Sequence, residues 1–307
     1  MHDVVLTDVS KQFMDNWAVR DLSFEVSKGS VFGLVGPNGA GKTTTIRMIM
    51  NFFAPDAGTV EVLGQMPSAS LQRRIGYMPE ERGLYKGMTV AEQLLFFARL
   101  KGIKKGNAQG PMREWLSRFE LSKWEKSKST ELSKGMQQKI QFIATVLHDP
   151  QILILDEPFT GLDPVSVSVL KDALMTLKSR GKTVIFSSHQ MEQVEQMCDV
   201  ICLMKKGKKL LGGTLSEIKR GYGKNIVLLD CAGADSCLTS DLAHQIERYP
   251  THVQIRLRDG ANPQDIIKRI IESGAPVNRF EIVEPSLNEI FIENITRNSS
   301  NGNDDQA

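Results

Sequence analysis

Long apolar stretches are missing from this chain. No run approaches the roughly 20 residues that a helix needs to cross a bilayer, so no segment reads as a membrane span. Cysteine is scarce. Cys198, Cys202, Cys231 and Cys237 are the only four, and none stands in a metal-site spacing with histidine. Cys198 and Cys202 fall across an expected helix-to-strand junction, which suits core or boundary thiols in a reducing compartment. An excess of either charge is also missing. Thirty-eight Lys and Arg face 36 Asp and Glu, a net of +2, so there is no polybasic face for nucleic acid or anionic lipid. Met1-His2-Asp3-Val4 lacks a basic segment leading into an apolar one, and no secretory leader is expected. No heptad run is present, which excludes a long coiled coil. What remains is 307 residues of ordinary composition, 41% apolar and 24% charged. That length fits two domains, or one with a small appendage. A cytoplasmic location follows as the expectation.

What is there is a phosphate loop. Gly36-Pro37-Asn38-Gly39-Ala40-Gly41-Lys42-Thr43, with Thr44 beside it, has the pattern of Gly, four residues, then Gly-Lys-Thr. The apolar segment Val31 to Val35 runs straight into it, and a helix-compatible stretch, Thr43 to Phe53, follows. Glycines let successive backbone N–H groups face inward around an anion. A helix N-terminus adds unpaired donors and a positive dipole end. In such a loop Lys42 reaches the β- and γ-phosphates and Thr43 offers a hydroxyl to Mg²⁺.

A second chemical signal comes downstream. Ile152-Leu153-Ile154-Leu155 is an apolar strand of buried type that ends in Asp156-Glu157. Asp156 would hold Mg²⁺ at the strand end. Glu157 either points the other way by strand alternation or begins the turn, from where it can orient and deprotonate an attacking water. Leu132-Ser133-Lys134-Gly135-Met136-Gln137 puts a serine cap and a glycine at a helix start, a second arrangement suited to phosphate. One chain with one phosphate loop has no use for a second γ-phosphate contact in cis, so another copy would supply it.

The surrounding pattern is α/β. Strands are expected near Val4–Val9, Leu22–Val26, Val31–Val35 and Thr183–Phe186, with a hairpin of Val200–Met204 and Lys209–Leu211 about Lys206-Gly207. Thr89 to Glu92 is a capping box that opens a helix through Leu100. Gly102 to Pro111 reads as a loop. Trp115, Leu116, Phe119 and Leu121 mark a further helical face, and Ser133 opens a helix through Leu147. Asp163-Pro164 caps another, which stops at Gly181. The stretch Gly83 to Asp149 is thus a helical subdomain set into a mainly parallel sheet. After Gly221-Tyr222-Gly223 the character changes to a small α+β domain. Its expected strands are Ile226–Leu229, Val253–Leu257 and Val277–Val283. Its expected helices are Ile266–Ile271 and Leu287–Ile295, the second opened by the box Ser286 to Glu289. Leu238 to Arg248 reads either way. Asn298 to Ala307 is a polar tail expected to be disordered. The boundaries expected are 1–219, 220–298 and 299–307.

Taken together these segments resemble the ATP-binding subunit of an ATP-binding-cassette (ABC) transporter. The phosphate loop, the Leu132–Gln137 signature, the Ile152–Glu157 strand, Gly161-Leu162-Asp163 and His189 after Ser187-Ser188 stand in that family's order and cover about the first 215 residues. The resemblance implies Mg-ATP as ligand and Glu157 and His189 as catalytic residues, His189 on the γ-phosphate. It implies an aromatic stacked on adenine, best matched by Phe13 and next by Trp17. Asp163 would shape the dimer contact. It also implies a head-to-tail pair of like subunits, a homodimer or a mixed pair, on the cytoplasmic side of a separately encoded polytopic permease. No nucleic-acid partner is expected. Two positions depart from the family. Lys134 and Met136 replace a glycine and an amide of the signature, though Ser133 and Gly135 remain. Glu80 stands where a glutamine is usual, and a carboxylate there can still meet Mg²⁺ or its waters. The segment Pro79 to Tyr85 and the segment Glu284 to Phe291 are similar to a branch of export ATPases that includes sodium-exporter subunits, which makes sodium ions or a drug-like solute candidate cargoes. Two other readings compete. A mechanical ATPase of the same fold, acting on ribosomes or nucleic acid, is disfavoured by one cassette and near-neutral charge. A small-molecule kinase would have no use for Ser133 and Gly135.

Overall fold

The structure, a computed structural model, describes residues 1–81, 83–223, 226–231, 242–258 and 260–300, with 295–300 as backbone only. Two compact units divide the chain, Met1–Thr214 and Leu215–Ala307.

The first unit opens with β1 (His2–Phe13) and β2 (Asn16–Ser27), an antiparallel pair. Their alternating burial, with Leu22, Phe24 and Val26 inward, marks a sheet with one covered face. Next come β3 (Val31–Val35), α1 (Lys42–Ile49), β4 (Ala57–Val62) and β5 (Ile75–Met78). The helices α2 (Val90–Leu100), α3 (Lys105–Arg118) and α4 (Lys134–Val146) follow. The core resumes with β6 (Ile152–Asp156), α5 (Pro164–Ser179), β7 (Thr183–Ser188), α6 (Met191–Met197), β8 (Val200–Lys205) and β9 (Lys208–Thr214). One sheet runs β2-β1-β4. The other runs β5-β6-β7-β3-β8-β9, parallel except for the β8–β9 hairpin. Every residue of β3, β6 and β7 is buried, as continuous apolar strands require when helices cover both faces. Phe24 stacks on Phe32 at 4.9 Å between ring centres and joins the two sheets. The sheet order places β7 between β3 and β6, so the phosphate loop and the Asp156 strand end flank the end of β7.

Several expectations change. The stretch from Gly102 to Pro111 is not all loop, because α3 begins at Lys105 and carries Pro111 inside it. Ala108, Met112 and Leu116 stand four apart and are all buried, and that packed face outweighs two glycines and a proline. Strand β4 went unread, since four of its six residues are exposed and the apolar pattern is thin. Strand β5 went unread because it is short and contains Gly76. A Cβ there would lie 2.4 Å from the Thr145 carbonyl oxygen, so glycine lets α4 approach the sheet.

In the second unit α7 (Leu215–Tyr222) precedes β10 (Ile226–Cys231), β11 (Ala243–Arg248), β12 (Val253–Leu257), α8 (Pro263–Glu272), β13 (Val277–Val283) and α9 (Leu287–Ser300). The four strands form an antiparallel sheet in the order β11-β12-β10-β13. Val227, Leu229, Ile255 and Leu257 pack with Ile266 and Ile270 of α8. Arg256 reaches Glu293 at 2.8 Å, and the Ser286–Glu289 box forms as read, with bonds of 2.7 and 3.2 Å. The ambiguous stretch resolves as strand over 243–248. Its residues 238–241, and 301–307 of the expected tail, lie outside the described residues, while Asn298 to Ser300 continue α9.

His148, just past α4, is 8% exposed and bonds to the Ile75 carbonyl at 3.3 Å through Nε2. Burial, aided by the nearby Lys101 charge, pushes its imidazole from 6.5 down to about 4. The unfolded chain therefore binds a proton in the range where the folded chain does not. This contribution is whole above about pH 6.5 and is lost as pH falls toward 4. The loss is about 3 kcal/mol at 1.36 kcal/mol per unit. His148→Asn keeps a donor for Ile75 and removes the titration. Denaturant unfolding from pH 7 to 4.5 is expected to give a flatter stability profile for the variant than for wild type.

Candidate functional site

The site collects at the carboxyl ends of β3, β6 and β7, where an open α/β sheet leaves room for a ligand. Helix α1 is the anion end. Its cap residue is Gly41, which makes no side-chain capping bond, and no acidic residue stands in its first turn. Thr45 N–H donates to Gly41 O at 2.9 Å as the first intrahelical bond. The amides of Lys42, Thr43 and Thr44 therefore have no acceptor within the helix. Gly41 has φ 101°, and a Cβ on it would lie 2.4 Å from the Ala18 carbonyl oxygen, so the β1–β2 hairpin presses on the loop. Pro37, Asn38 and Gly39 are exposed, Gly36 and Ala40 are buried, and Thr43 and Thr44 are half-buried.

Lys42 is buried and folded into this loop. Its ammonium donates to Gly36 O at 2.7 Å and Pro37 O at 3.2 Å, and lies 3.4 Å from Glu157 Oε1. Glu157 is the first residue past β6, with φ 50°. It begins the turn and does not continue the strand, which decides between the two sequence expectations. Its other oxygen, Oε2, lies 3.0 Å from His189 Nδ1. His189 keeps 42% of its side chain exposed, against 7% for Glu157.

Asp156 is buried. Its Oδ1 accepts the Ser187 hydroxyl at 2.5 Å, while Oδ2 is buried with no hydrogen-bond partner. An orphaned carboxylate oxygen beside a phosphate loop suits a cation. Burial, aided by the charges of Asp156 and Glu80, raises the Tyr77 phenol to about 12. Glu80 is itself exposed, just past β5, and the chain on either side of it is held by Gln141, whose amide donates to Pro79 O at 2.8 Å and Glu81 O at 3.2 Å.

Phe13 ends β1 with half its ring exposed, edge-on to Phe53 at 5.5 Å, and Trp17 is exposed across the same hairpin. Ser133 caps α4, its Oγ accepting Met136 N–H at 3.3 Å. Gly135 faces Leu162 of the loop after β6. Asp163 caps α5 by accepting Ser166 N–H at 2.9 Å and the Ser166 hydroxyl at 2.6 Å, and those bonds hold its carboxyl below the usual range.

The residue missed from sequence is Ser187. Its hydroxyl donates to Asp156 and accepts Glu157 N–H at 3.0 Å, so one side chain sets both carboxylate residues. The strand register opposes Asp156 to Ser187. A polar residue ending an apolar strand was the available signal.

Fold and site together define a phosphate-loop ATPase domain joined to an α+β accessory domain. Residues 19–160 match the family model described as ABC transporter, and residues 213–295 match the C-terminal domain of DrrA1-3-like ATP-binding proteins. The chain is 43% identical to the uncharacterized ABC transporter ATP-binding protein YhaQ of Bacillus subtilis, over 95% of this chain and 98% of that protein. It is 38% identical to the Nod factor export ATP-binding protein I of Burkholderia orbicola, over 93% and 94%. A solved ATP-binding subunit of an ABC transporter superposes with a TM-score of 0.67 at 30% identity, over 72% of this chain and 93% of that one. The chain belongs to the ABC transporter family as a nucleotide-binding ATPase subunit. Among the described residues no helix is long and apolar enough to cross a membrane.

Ser187→Ala tests the bridge. It removes a hydrogen bond to a buried carboxylate and is expected to lower stability by about 2 kcal/mol. ATPase turnover should fall about tenfold while ATP affinity changes less, because the lost contacts orient groups and do not touch the phosphate loop. Equilibrium binding beside phosphate release reads the two effects separately.

Proposed function

We propose that this chain hydrolyses Mg-ATP in a head-to-tail pair of cassettes and so drives export through a separate membrane permease. The observation that carries the reading is the buried Lys42–Glu157 pair, extended to the half-exposed His189, beside the uncapped start of α1. Lys42 and the amides of Gly39 and of Gly41 to Thr44 bind the phosphates, with Gly36, Pro37, Asn38 and Ala40 shaping the loop. Phe13, or Trp17, stacks on adenine. Glu157 takes the proton of the attacking water, and His189 steadies Glu157 and the γ-phosphate oxygens as charge shifts. The residues fit a divalent cation. Asp156 offers its orphaned Oδ2, Thr43 its hydroxyl, and Glu80 a carboxylate at the rim. When bound, Mg²⁺ neutralises charge on the phosphate oxygens.

Ser133 and Gly135 would act on ATP held by the second cassette. Ser133 is exposed, and its hydroxyl accepts a bond while keeping its own proton to donate. An anionic oxygen needs such a donor. The permease surface is assigned to Tyr85 through Phe97. Tyr85 is 50% exposed and stacks on Phe97, with Phe96 edge-on. Beside them lies a cavity of about 180 Å³ whose walls include Leu84, Phe97, Leu100 and Ala144. Export is supported by the relative named for Nod factor export. Sodium ions or a drug-like solute are the cargoes this reading puts forward. A ribosomal or nucleic-acid role is not favoured, since the similar proteins are transporter subunits.

Glu157→Gln should keep ATP affinity, lose turnover at least about a hundredfold, and sediment as an ATP-dependent dimer. Lys42→Ala should instead lose affinity about tenfold or more. Normal turnover in Glu157→Gln would refute the base assignment. A strictly monomeric Glu157→Gln protein with ATP bound would refute the paired site.

A further inference from the structure

Strand β13 is an edge of the second unit's sheet. It pairs with β10 on one side and with no strand on the other among the described residues. The strand reads Val277-Asn278-Arg279-Phe280-Glu281-Ile282-Val283. Arg279 and Glu281 are half-exposed, and Val277 and Ile282 each keep 38% of their surface. Edge strands are commonly blunted by charges that repel a second copy. Here the charges are of opposite sign and sit symmetrically about Phe280, which attracts one.

We propose that two copies of this chain associate through β13, antiparallel and centred on Phe280, to make one continuous sheet. In that register Arg279 faces Glu281 of the other copy and Glu281 faces its Arg279. Val277 meets Val283, and Asn278 meets Ile282. A register centred on one residue opposes residues of like parity, so backbone groups directed away from β10 meet their counterparts. Centring on Arg279 or on Glu281 would set like charges directly opposite, which is unfavourable. Only the Phe280 register pairs both charges. Arg279 and Glu281 now bond within the strand at 2.6 Å, and dimerisation exchanges that exposed contact in each copy for two crossed ones between the copies. A single strand pair is a small interface, so the association is expected to depend on concentration. It needs neither nucleotide nor the phosphate loop and is independent of the ATP-driven pairing.

Sedimentation velocity on the full chain, stripped of nucleotide and in chelator, tests this. Wild type should show a concentration-dependent dimer. Arg279→Glu and Glu281→Arg each turn both crossed pairs repulsive and should weaken it at least about tenfold. Mixing the two variants should restore a dimer, because every crossed pair is then opposite in sign, although each chain still carries its own like-charged strand. Thermal melting and ATP binding of each variant should match wild type. Recovery on mixing cannot come from misfolding. A wild type that stays monomeric, or variants that dimerise as wild type does, or a mixture that forms no mixed dimer, would each overturn the proposal.

Discussion

The site hangs on one buried ion pair. Lys42 and Glu157 come from segments far apart in sequence, and both are almost fully out of water. Burying two charges costs several kcal/mol each unless other bonds complete their shells. The two partners are completed unequally. The ammonium has three donors and three oxygens around it, from Gly36, Pro37 and Glu157. Glu157 Oε1 lies within Coulombic reach of Lys42 yet lacks hydrogen-bond geometry, and the nearest partner of Oε2 is His189 Nδ1 at 3.0 Å. The pair is thus held more firmly from the lysine side. An anion in the loop competes with Glu157 for the same ammonium. The carboxylate then depends on His189, which is the partner open to solvent.

Strand order makes that meeting possible. With β7 between β3 and β6, its last residues stand between loop and carboxylates. Ser188 O accepts Gly36 N–H at 3.2 Å, and Ser187 bonds both Asp156 and Glu157. Two successive serines thus fasten one side of the site each, Ser188 through its backbone carbonyl and Ser187 through its hydroxyl. The Ser188 hydroxyl also accepts Gln190 N–H at 3.0 Å and shapes the turn that carries His189. Glu157 takes a left-handed backbone at this junction, a cost of about 1–3 kcal/mol for a non-glycine residue. Leaving the strand there is what turns its carboxylate toward Lys42.

The parts legible in sequence were those fixed by local backbone chemistry. A phosphate loop must have glycines at set spacing, and a capping box joins residues three apart, so Thr89–Glu92 and Ser286–Glu289 could be read directly. Fully buried strands such as β6 announce themselves by composition. The rest depends on partners distant along the chain. Ser187 lies 31 residues from Asp156, and Gln141 lies 62 from Pro79. No spacing rule connects them. Helix α3 was hidden for the opposite reason, since local helix breakers concealed a face that tertiary packing decides.

The Glu80 loop shows what those distant bonds accomplish. After β5 the chain leaves the sheet, and side chains hold it in place of a strand ladder. Gln141 grips Pro79 and Glu81, the Gln93 amide oxygen accepts Tyr85 N–H at 2.8 Å, and the Ser129 hydroxyl donates to Tyr85 O at 3.0 Å. Each such bond contributes about 1 kcal/mol net, so the loop is located but not locked. Gln141 belongs to α4, the helix that begins at Ser133. A displacement of the Pro79 to Glu81 segment is therefore resisted by the same helix that presents the signature serine. Glu80 and the signature are thus joined through one helix, whereas Tyr85 beyond them is held from α2 and Ser129.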